Sequence, residues 1–431
     1  MDLYQIFLEH PIVTTDSRNC PDGSIFFALK GDKFNANKFA HEALEKGCSY
    51  AVIDEAEYAT DSRFIVVRDV LKALQDLANQ HRKNVGVKII GITGTNGKTT
   101  TKELIASVLQ EKYKVHFTKG NLNNHIGVPL TLLQLTSEHQ LAIIEMGANH
   151  PGEIKTLCEI AEPDFGIITN VGKAHLEGFG SFEGVKQTKA ELYDYISANG
   201  KGIFINNDNE SLKEMAKSAK IHEDKQVAYS LKANDDLTMV TGMISSSDPF
   251  LNMQCQTGTI FDINTHLVGA YNAENILAAV TIGHFFGLKN TQIKHGIETY
   301  KPLNNRSQFI DSGKNKLIVD AYNANPTSML AAINNFAEMQ SNNKMLILGD
   351  MFELGNQSEI EHQNIVNVLE EKKFHNVLLI GTAFMNTNNN FKTFNDVDDL
   401  TTYISNNCPA NNIILIKGSR SVQLEKIISL L

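Results

Sequence analysis

Residues Val87–Thr101 read VKIIGITGTNGKTTT. Four or five apolar residues that read as a buried strand run straight into a glycine-rich turn ending in Gly97-Lys98-Thr99. Leu104, Ile105, Val108 and Leu109 then follow at helical spacing. Strand, glycine loop, lysine, hydroxyl and helix, in that order, is the arrangement that cradles a nucleotide's phosphates. Backbone N–H groups and the helix N-terminus face the anion, the lysine reaches the β- and γ-phosphates, and the hydroxyl ligates Mg²⁺. The common loop has a small residue at the place held here by Ile92, so TGTNGKT is a variant. A chance glycine turn beside a lysine is the competing reading, and the strand before and helix after weigh against it. The loop implies use of ATP but not the purpose.

Whole-chain properties narrow the class. A chain of 431 residues is expected to hold about two to four domains. Its 42% apolar and 20% charged composition is that of an ordinary globular enzyme. A net charge of −10 argues against a general nucleic-acid binder, which needs a basic surface. Cys20, Cys48, Cys158, Cys255 and Cys408 are odd in number and lack CxxC spacing. Neither a disulfide framework nor a zinc site is indicated, and a reducing, cytoplasmic compartment is expected. The N-terminal MDLYQIFLEH carries charges and no apolar core, and no run approaches 18 apolar residues. No signal peptide and no membrane insertion are expected, so the N-x-S sequons at Asn305 and Asn356 carry no weight.

The chain divides into three units. Residues 1–83 show short strands (Ile25–Leu29, Ala51–Asp54, Phe64–Val67) and a helix, Val70–Arg82, with an apolar stripe at Val70, Leu71, Leu74, Leu77 and Ala78. The polar segment His81–Asn84 reads as a hinge. Residues 84–302 open with the loop and continue with Leu141–Met146, Phe165–Val171 and Gly202–Asn206, which read as buried parallel strands. An antiparallel patch is expected over 221–268, then a helix, Asn272–Gly287. Residues 303–431 carry strands Leu317–Asp320, Met345–Gly349, Val377–Gly381 and Ile413–Lys417 between helical segments. A second doubly wound sheet is expected there. The fold class is thus α/β in three domains: a small α/β unit, a central P-loop-type parallel sheet and a C-terminal Rossmann-like unit.

Polar residues gather just past the strand ends, where ligands bind in open α/β sheets. Glu145 ends LAIIE, the place for a Mg²⁺ ligand beside a phosphate loop; a solvent-facing strand end is the alternative. His175, past another strand, divides between structural and ligand roles. Lys189, by its spacing alone, is a solvated helix lysine. Asn121, Asn123, Asn124 and His125 form a polar loop that either binds something or is a turn cluster. DAYNANPTS (320–328) either reads a base or ribose or caps the following helix.

GTNGKTT resembles the loop of the Mur ligase family, whose members join an amino acid or peptide to a UDP-muramoyl precursor. GNLNNHIGVPLTLL (120–133), EMGANHPGEI (145–154), AHLEGFGSFEGV (174–185), DAYNANPTSM (320–329) and LGDMFELG (348–355) resemble the branch that adds D-alanyl-D-alanine. TDSR (15–18) with PDGSIFFALKG (21–31) is similar to the family's UDP-binding segment. The resemblance covers nearly the whole chain. It implies that residues 1–83 bind the UDP-muramoyl substrate, 84–302 form the ATP-binding ligase domain, and 303–431 bind nucleotide and the incoming dipeptide.

It also implies roles residue by residue. Gly94, Thr95, Asn96, Gly97 and Thr100 would line the ATP loop with Lys98 on the phosphates. Thr99 and Glu145 would hold one Mg²⁺, and His175 would belong to a second site. Lys189 takes the place of a lysine carbamylated in related ligases, where it would become a metal ligand; the flanking Thr188 and Ala190 differ from the commoner small pair. Asn272 and Asn275 match an asparagine pair near the adenine, with Tyr271 where a histidine often stands. Arg306, Asp320, Asn323 and Asn325 would reach the nucleotide. Ser17 and Arg18 would contact the uridine-diphosphate end, Asn123 and Asn124 the substrate, and Lys417 and Arg420 lie where the dipeptide binds. The implied cofactors are ATP and Mg²⁺. The implied partners are UDP-N-acetylmuramoyl-tripeptide and D-alanyl-D-alanine, with a monomer expected. The nearest rival is a relative adding a single diamino acid, which usually carries a DNPR-type motif that this sequence lacks. Folylpolyglutamate synthetase lacks the N-terminal unit. A scaffold with lost chemistry would have no need to keep Lys98, Glu145, His175 and Lys189.

Overall fold

A central sheet of nine strands carries the loop, flanked by a four-stranded sheet on the N-terminal side and a six-stranded one after it. The structure, a computed structural model, describes residues 2–174, 176–232, 238–341 and 343–431. In the central sheet the strand Lys88–Thr93 lies between Leu141–Glu145 and Phe165–Ile168, parallel to both. From Lys88–Thr93 the chain runs through helix Lys98–Gln110 to the edge strand Val115–Phe117 and returns by Leu141–Glu145. It then crosses to the other side for Phe165–Ile168 and Gly202–Asn206. The reversal puts a crevice at the C-terminal end of Lys88–Thr93, where the glycine loop begins. Ile92 is fully buried there, paired with Ile167 and Glu145 across the sheet. The strand runs one residue past it, so the position is a sheet position here and takes an apolar side chain.

The expected antiparallel patch is only partly so. Gln226–Ser230 pairs parallel with strands on both sides. The antiparallel pairing starts beyond it, between Thr238–Ser246, Phe250–Thr257 and Thr259–Val268. Val227 to Ser230 adds a further largely buried strand to the sheet, which its turn-rich surroundings hide in the sequence.

The N-terminal sheet is parallel, in the order Val13–Thr14, Ile25–Phe27, Tyr50–Ile53, Phe64–Val66. The hinge expected at His81–Asn84 is not one: these residues are the last turns of helix Val70–Val85, which ends on Gly86 at φ +70°. His81 is buried and bonds Leu135 O at 2.8 Å. Arg82 donates to Ala161 O at 2.8 Å and Glu162 O at 2.6 Å. The polar residues are polar because they tie the helix to the central unit, and the two units share one apolar core.

The third sheet runs Gln308–Asp311, Lys316–Asp320, Ile413–Lys417, Lys344–Gly349, Val377–Ile380, Lys392–Phe394, all parallel except the first pair. Separate apolar clusters cover its two faces, as a doubly wound sheet requires. The α/β class expected from the sequence is the one found, and each of the three expected units carries one of the three larger sheets.

Candidate active site

The glycine loop is held from behind by the turn after Phe165–Ile168. Thr95 N donates to Asn170 O at 2.9 Å, Asn96 N to Asn170 Oδ1 at 3.0 Å, and Thr169 Oγ1 to Asn96 O at 2.6 Å. The loop glycines are steric necessities. Gly94 has φ +140°, and a Cβ there would lie 2.0 Å from Thr169 Oγ1; one on Gly97, at φ +78°, would lie 2.7 Å from Asn275 Oδ1. Lys98, half-buried at the start of its helix, donates to Gly94 O at 2.8 Å and Thr95 O at 3.1 Å. Burial lowers its pKa; the Glu145 carboxylate opposes that and the charge of Arg306 adds to it.

Glu145 ends its strand 1% exposed. Oε1 accepts from Thr99 Oγ1 at 3.2 Å and Asn123 Nδ2 at 2.9 Å, whereas the buried Oε2 accepts no hydrogen bond. With the Thr99 hydroxyl on Oε1 and Lys102 Nζ 3.6 Å from Oε2, this carboxylate beside a hydroxyl, next to a phosphate loop, fits Mg²⁺, which takes one or two protein oxygens and completes its shell with water and phosphate. Among the described residues no group of three or more His, Cys, Asp or Glu side chains is placed to hold a metal ion. His175 lies outside the described residues. Lys189, read from its spacing as solvated, is 2% exposed, with Nζ 5.3 Å from the Phe179 ring centroid. Burial, then the charge of Lys98, lowers its pKa to about 7.

Asparagines link the loop to the units around it. Asn275 accepts from Thr101 Oγ1 at 2.9 Å and donates to Asn272 Oδ1 at 2.8 Å. Asn272 donates to Ser307 Oγ at 3.3 Å, and Ser307 Oγ lies 3.0 Å from Tyr271 Oη. From the third sheet, Asn325 donates to Asn96 Oδ1 at 2.7 Å. The Arg306 guanidinium lies 3.8 Å from the centroid of the Tyr322 ring, with its buried Nε unpartnered. Lys417, 1% exposed, pairs with Asp320 at 2.6 Å and reaches Asn323 O at 3.3 Å.

Most of these groups line one cleft of about 1030 Å³, and Lys189 is not among its lining residues. Its walls include Gly97, Lys98, Thr99, Glu145, Asn123, Asn124, Asn272, Asn275, Arg306, Asp320, Asn323, Asn325 and Lys417, and it extends to Leu71 and Gln75 of the N-terminal unit. Not every expected residue faces it. Arg18 is solvent-exposed and paired with Asp16, whose carboxyl it holds at about 2; the Ser17 carbonyl accepts from Lys46. Arg420 lies 5.5 Å from the Tyr322 centroid and does not line the cleft. Asn124 lines the cleft while its Oδ1 accepts from Ile126 N and Gly127 N at the start of helix Gly127–Leu132. Sequence reading missed Asn170, Tyr322 and Lys102. Lys102 was within its reach, three residues after Thr99 and so on the same helix face.

Comparison with known proteins fits this geometry. Residues 10–82 match the model described as Mur ligase family, catalytic domain; 92–283 match Mur ligase middle domain; 305–420 match Mur ligase, glutamate ligase domain. The UDP-N-acetylmuramoyl-tripeptide–D-alanyl-D-alanine ligase of Bacillus subtilis (strain 168) is 34% identical over 430 residues, 96% of this chain and 92% of the relative. That of Escherichia coli (strain K12) is 35% identical over 424 residues, with 96% and 92% covered. A crystal structure of MurF from Acinetobacter baumannii aligns with a TM-score of 0.86 at 31% identity, covering 97% of this chain and 92% of the other.

Proposed function

The chain belongs to the Mur ligase family, and from that premise we propose that it is the ATP-dependent, ADP-forming ligase that joins D-alanyl-D-alanine to UDP-N-acetylmuramoyl-tripeptide in peptidoglycan synthesis. The observation that carries the reading is a cleft in which a phosphate loop, a buried carboxylate and cations from two units converge. Residues 1–83 are assigned to the UDP-muramoyl end, 84–302 to ATP, and 303–431 to nucleotide and dipeptide. The enzyme is read as a cytoplasmic monomer. Among the described residues no helix is long and apolar enough to cross a membrane.

A carboxylate is a poor electrophile. In the proposed reaction the peptide carboxylate takes the γ-phosphoryl group of ATP, releasing ADP. The dipeptide's amine then attacks the acyl phosphate, and inorganic phosphate and a proton leave. Lys98 places a cation against the transferring group, where charge is stabilised most effectively in a desolvated site. Thr99 and Glu145 would hold Mg²⁺, which when bound offsets phosphate charge. Asn123 fixes the Glu145 carboxylate. Lys189, able to lose its proton near neutrality, presents the free amine that a carbamate requires; it and His175 belong to the proposed second Mg²⁺ site. The acyl phosphate is labile in water, so closure of the third unit over the cleft is part of the reading.

The test is phosphate release with UDP-muramoyl-tripeptide, comparing D-alanyl-D-alanine, L-lysine and diaminopimelate as acceptors. Stimulation by the dipeptide alone is expected, and stimulation by a single amino acid instead would transfer the chain to another branch. Lys98→Ala should lose dipeptide-dependent turnover by about two orders of magnitude or more with an unchanged circular-dichroism spectrum. Near-normal turnover in that variant would refute the mechanism.

A further inference from the structure

Helix Lys98–Gln110 turns two groups, three residues apart, onto one carboxylate. Thr99 Oγ1 donates to Glu145 Oε1 at 3.2 Å, and Lys102 Nζ lies 3.6 Å from Glu145 Oε2. Lys102 is 1% exposed and does not line the cleft, so it meets Glu145 from within the protein. Its other acidic neighbour is Glu103, with Oε1 at 3.9 Å. Glu103 is itself gripped by Tyr300 Oη at 2.7 Å and Asn304 Nδ2 at 3.2 Å, on the segment leading into the third unit. The Phe117 ring stands 5.8 Å from Lys102 Nζ, and Lys119 lies over the same ring at 3.4 Å. The ammonium is therefore shared between two carboxylates, one read as a metal ligand and one anchoring the linker.

A buried ammonium and a divalent cation cannot both take full advantage of one carboxylate oxygen, because like charges a few ångströms apart repel strongly in a poorly solvated site. Resting on the reading of Glu145 as a Mg²⁺ ligand, we propose that Lys102 is a positioning residue, the internal counter-ion of that ligand. It holds the Glu145 carboxylate in place without metal and weakens metal binding, with Glu103 as the alternative partner for its charge. The two neighbours then have opposite signs. Removing the ammonium at near-constant length (Lys102→Met) leaves Glu145 with more uncompensated charge, so Mg²⁺ binds more tightly. Neutralising the alternative partner (Glu103→Gln) leaves Lys102 to bear on Glu145 alone, so Mg²⁺ binds more weakly. A lysine kept for packing alone would not produce opposite shifts.

The full chain is saturated with a non-hydrolysable ATP analogue and titrated with Mg²⁺, following the melting temperature. The half-saturating Mg²⁺ concentration is expected to fall about five-fold in Lys102→Met and to rise by a similar factor in Glu103→Gln, the size of a modest coupling between sites. Glu145→Gln should raise the half-saturating Mg²⁺ concentration and make it insensitive to Lys102→Met. An unchanged midpoint in Lys102→Met, or shifts of the same sign in both variants, overturns the inference while leaving the metal reading intact. A midpoint unchanged by Glu145→Gln overturns both. Should Lys102→Met fail to fold, Glu103→Gln decides alone: a higher midpoint supports the inference, and an unchanged or lower one ends it.

Discussion

Lys189 sits where a lysine is least at ease, 2% exposed in helix Phe182–Asn199 and close enough to Lys98 to feel its charge. Its amine titrates near 7 when folded against an ordinary value of 10.5. Between those two pH values the unfolded chain binds the extra proton, so this residue makes stability rise with pH. Below about 7 both states are protonated and the full penalty remains. Lys189→Met should therefore be more stable than the parent protein at pH 7, with the gap narrowing towards pH 10. Urea denaturation in CO₂-depleted buffer measures it, and a gap independent of pH would mean that the amine is not held neutral. Nothing in the local sequence carries this property. VKQTKAEL looks like a solvated helix, and the residues that bury the amine come from elsewhere in the fold. Glu145 was more legible, because a strand tip beside a phosphate loop limits what an acidic side chain there can face.

At the scale of elements, Asn325 performs two tasks with one amide. Its Oδ1 accepts from Ser328 N at 2.9 Å, capping helix Pro326–Glu338, while Nδ2 reaches Asn96 in the glycine loop. The sequence left capping and ligand reading open for DAYNANPTS; the fold supplies the cap and adds a link between units that neither alternative contained. Asn325→Ala should cost about 1 kcal/mol, the usual value of a lost cap, and should weaken binding of ADP measured by calorimetry. Asn325→Asp keeps the acceptor and loses the donor. It should retain most of the stability yet still bind ADP more weakly, and parent-like ADP binding in Asn325→Asp would show the Asn96 contact to be idle. The loop glycines make a firmer case. Gly97→Ala forces a left-handed residue and a 2.7 Å approach to Asn275, a strain of about 1–3 kcal/mol. Nucleotide binding should fail before the fold does.

Across the whole molecule, the joint between the first two units is packed and hydrogen-bonded where the polar sequence suggested a hinge. Arg82 donates to two carbonyls at the end of helix Glu153–Ala161 and lies 3.6 Å from Asp164. Arg82→Ala leaves those carbonyls without their donor and should destabilise the chain by about 1–3 kcal/mol. Hydrogen exchange should quicken in helix Val70–Val85. Protection equal to the parent there would mean that the shared apolar core alone fixes the joint.

By itself the sequence determined the α/β class, the order of the strands that run on apolar stretches, and the loop with its lysine, hydroxyl and nearby carboxylate. Those features rest on local periodicity and on backbone needs that few residue types can meet. Only the tertiary structure decided that His81–Asn84 docks, that Gln226–Ser230 joins the parallel run, that Lys189 is buried, and that Lys102 stands behind Glu145. Each depends on which distant surface a side chain meets, and burial and charge pairing act through space, where spacing along the chain gives no measure of them.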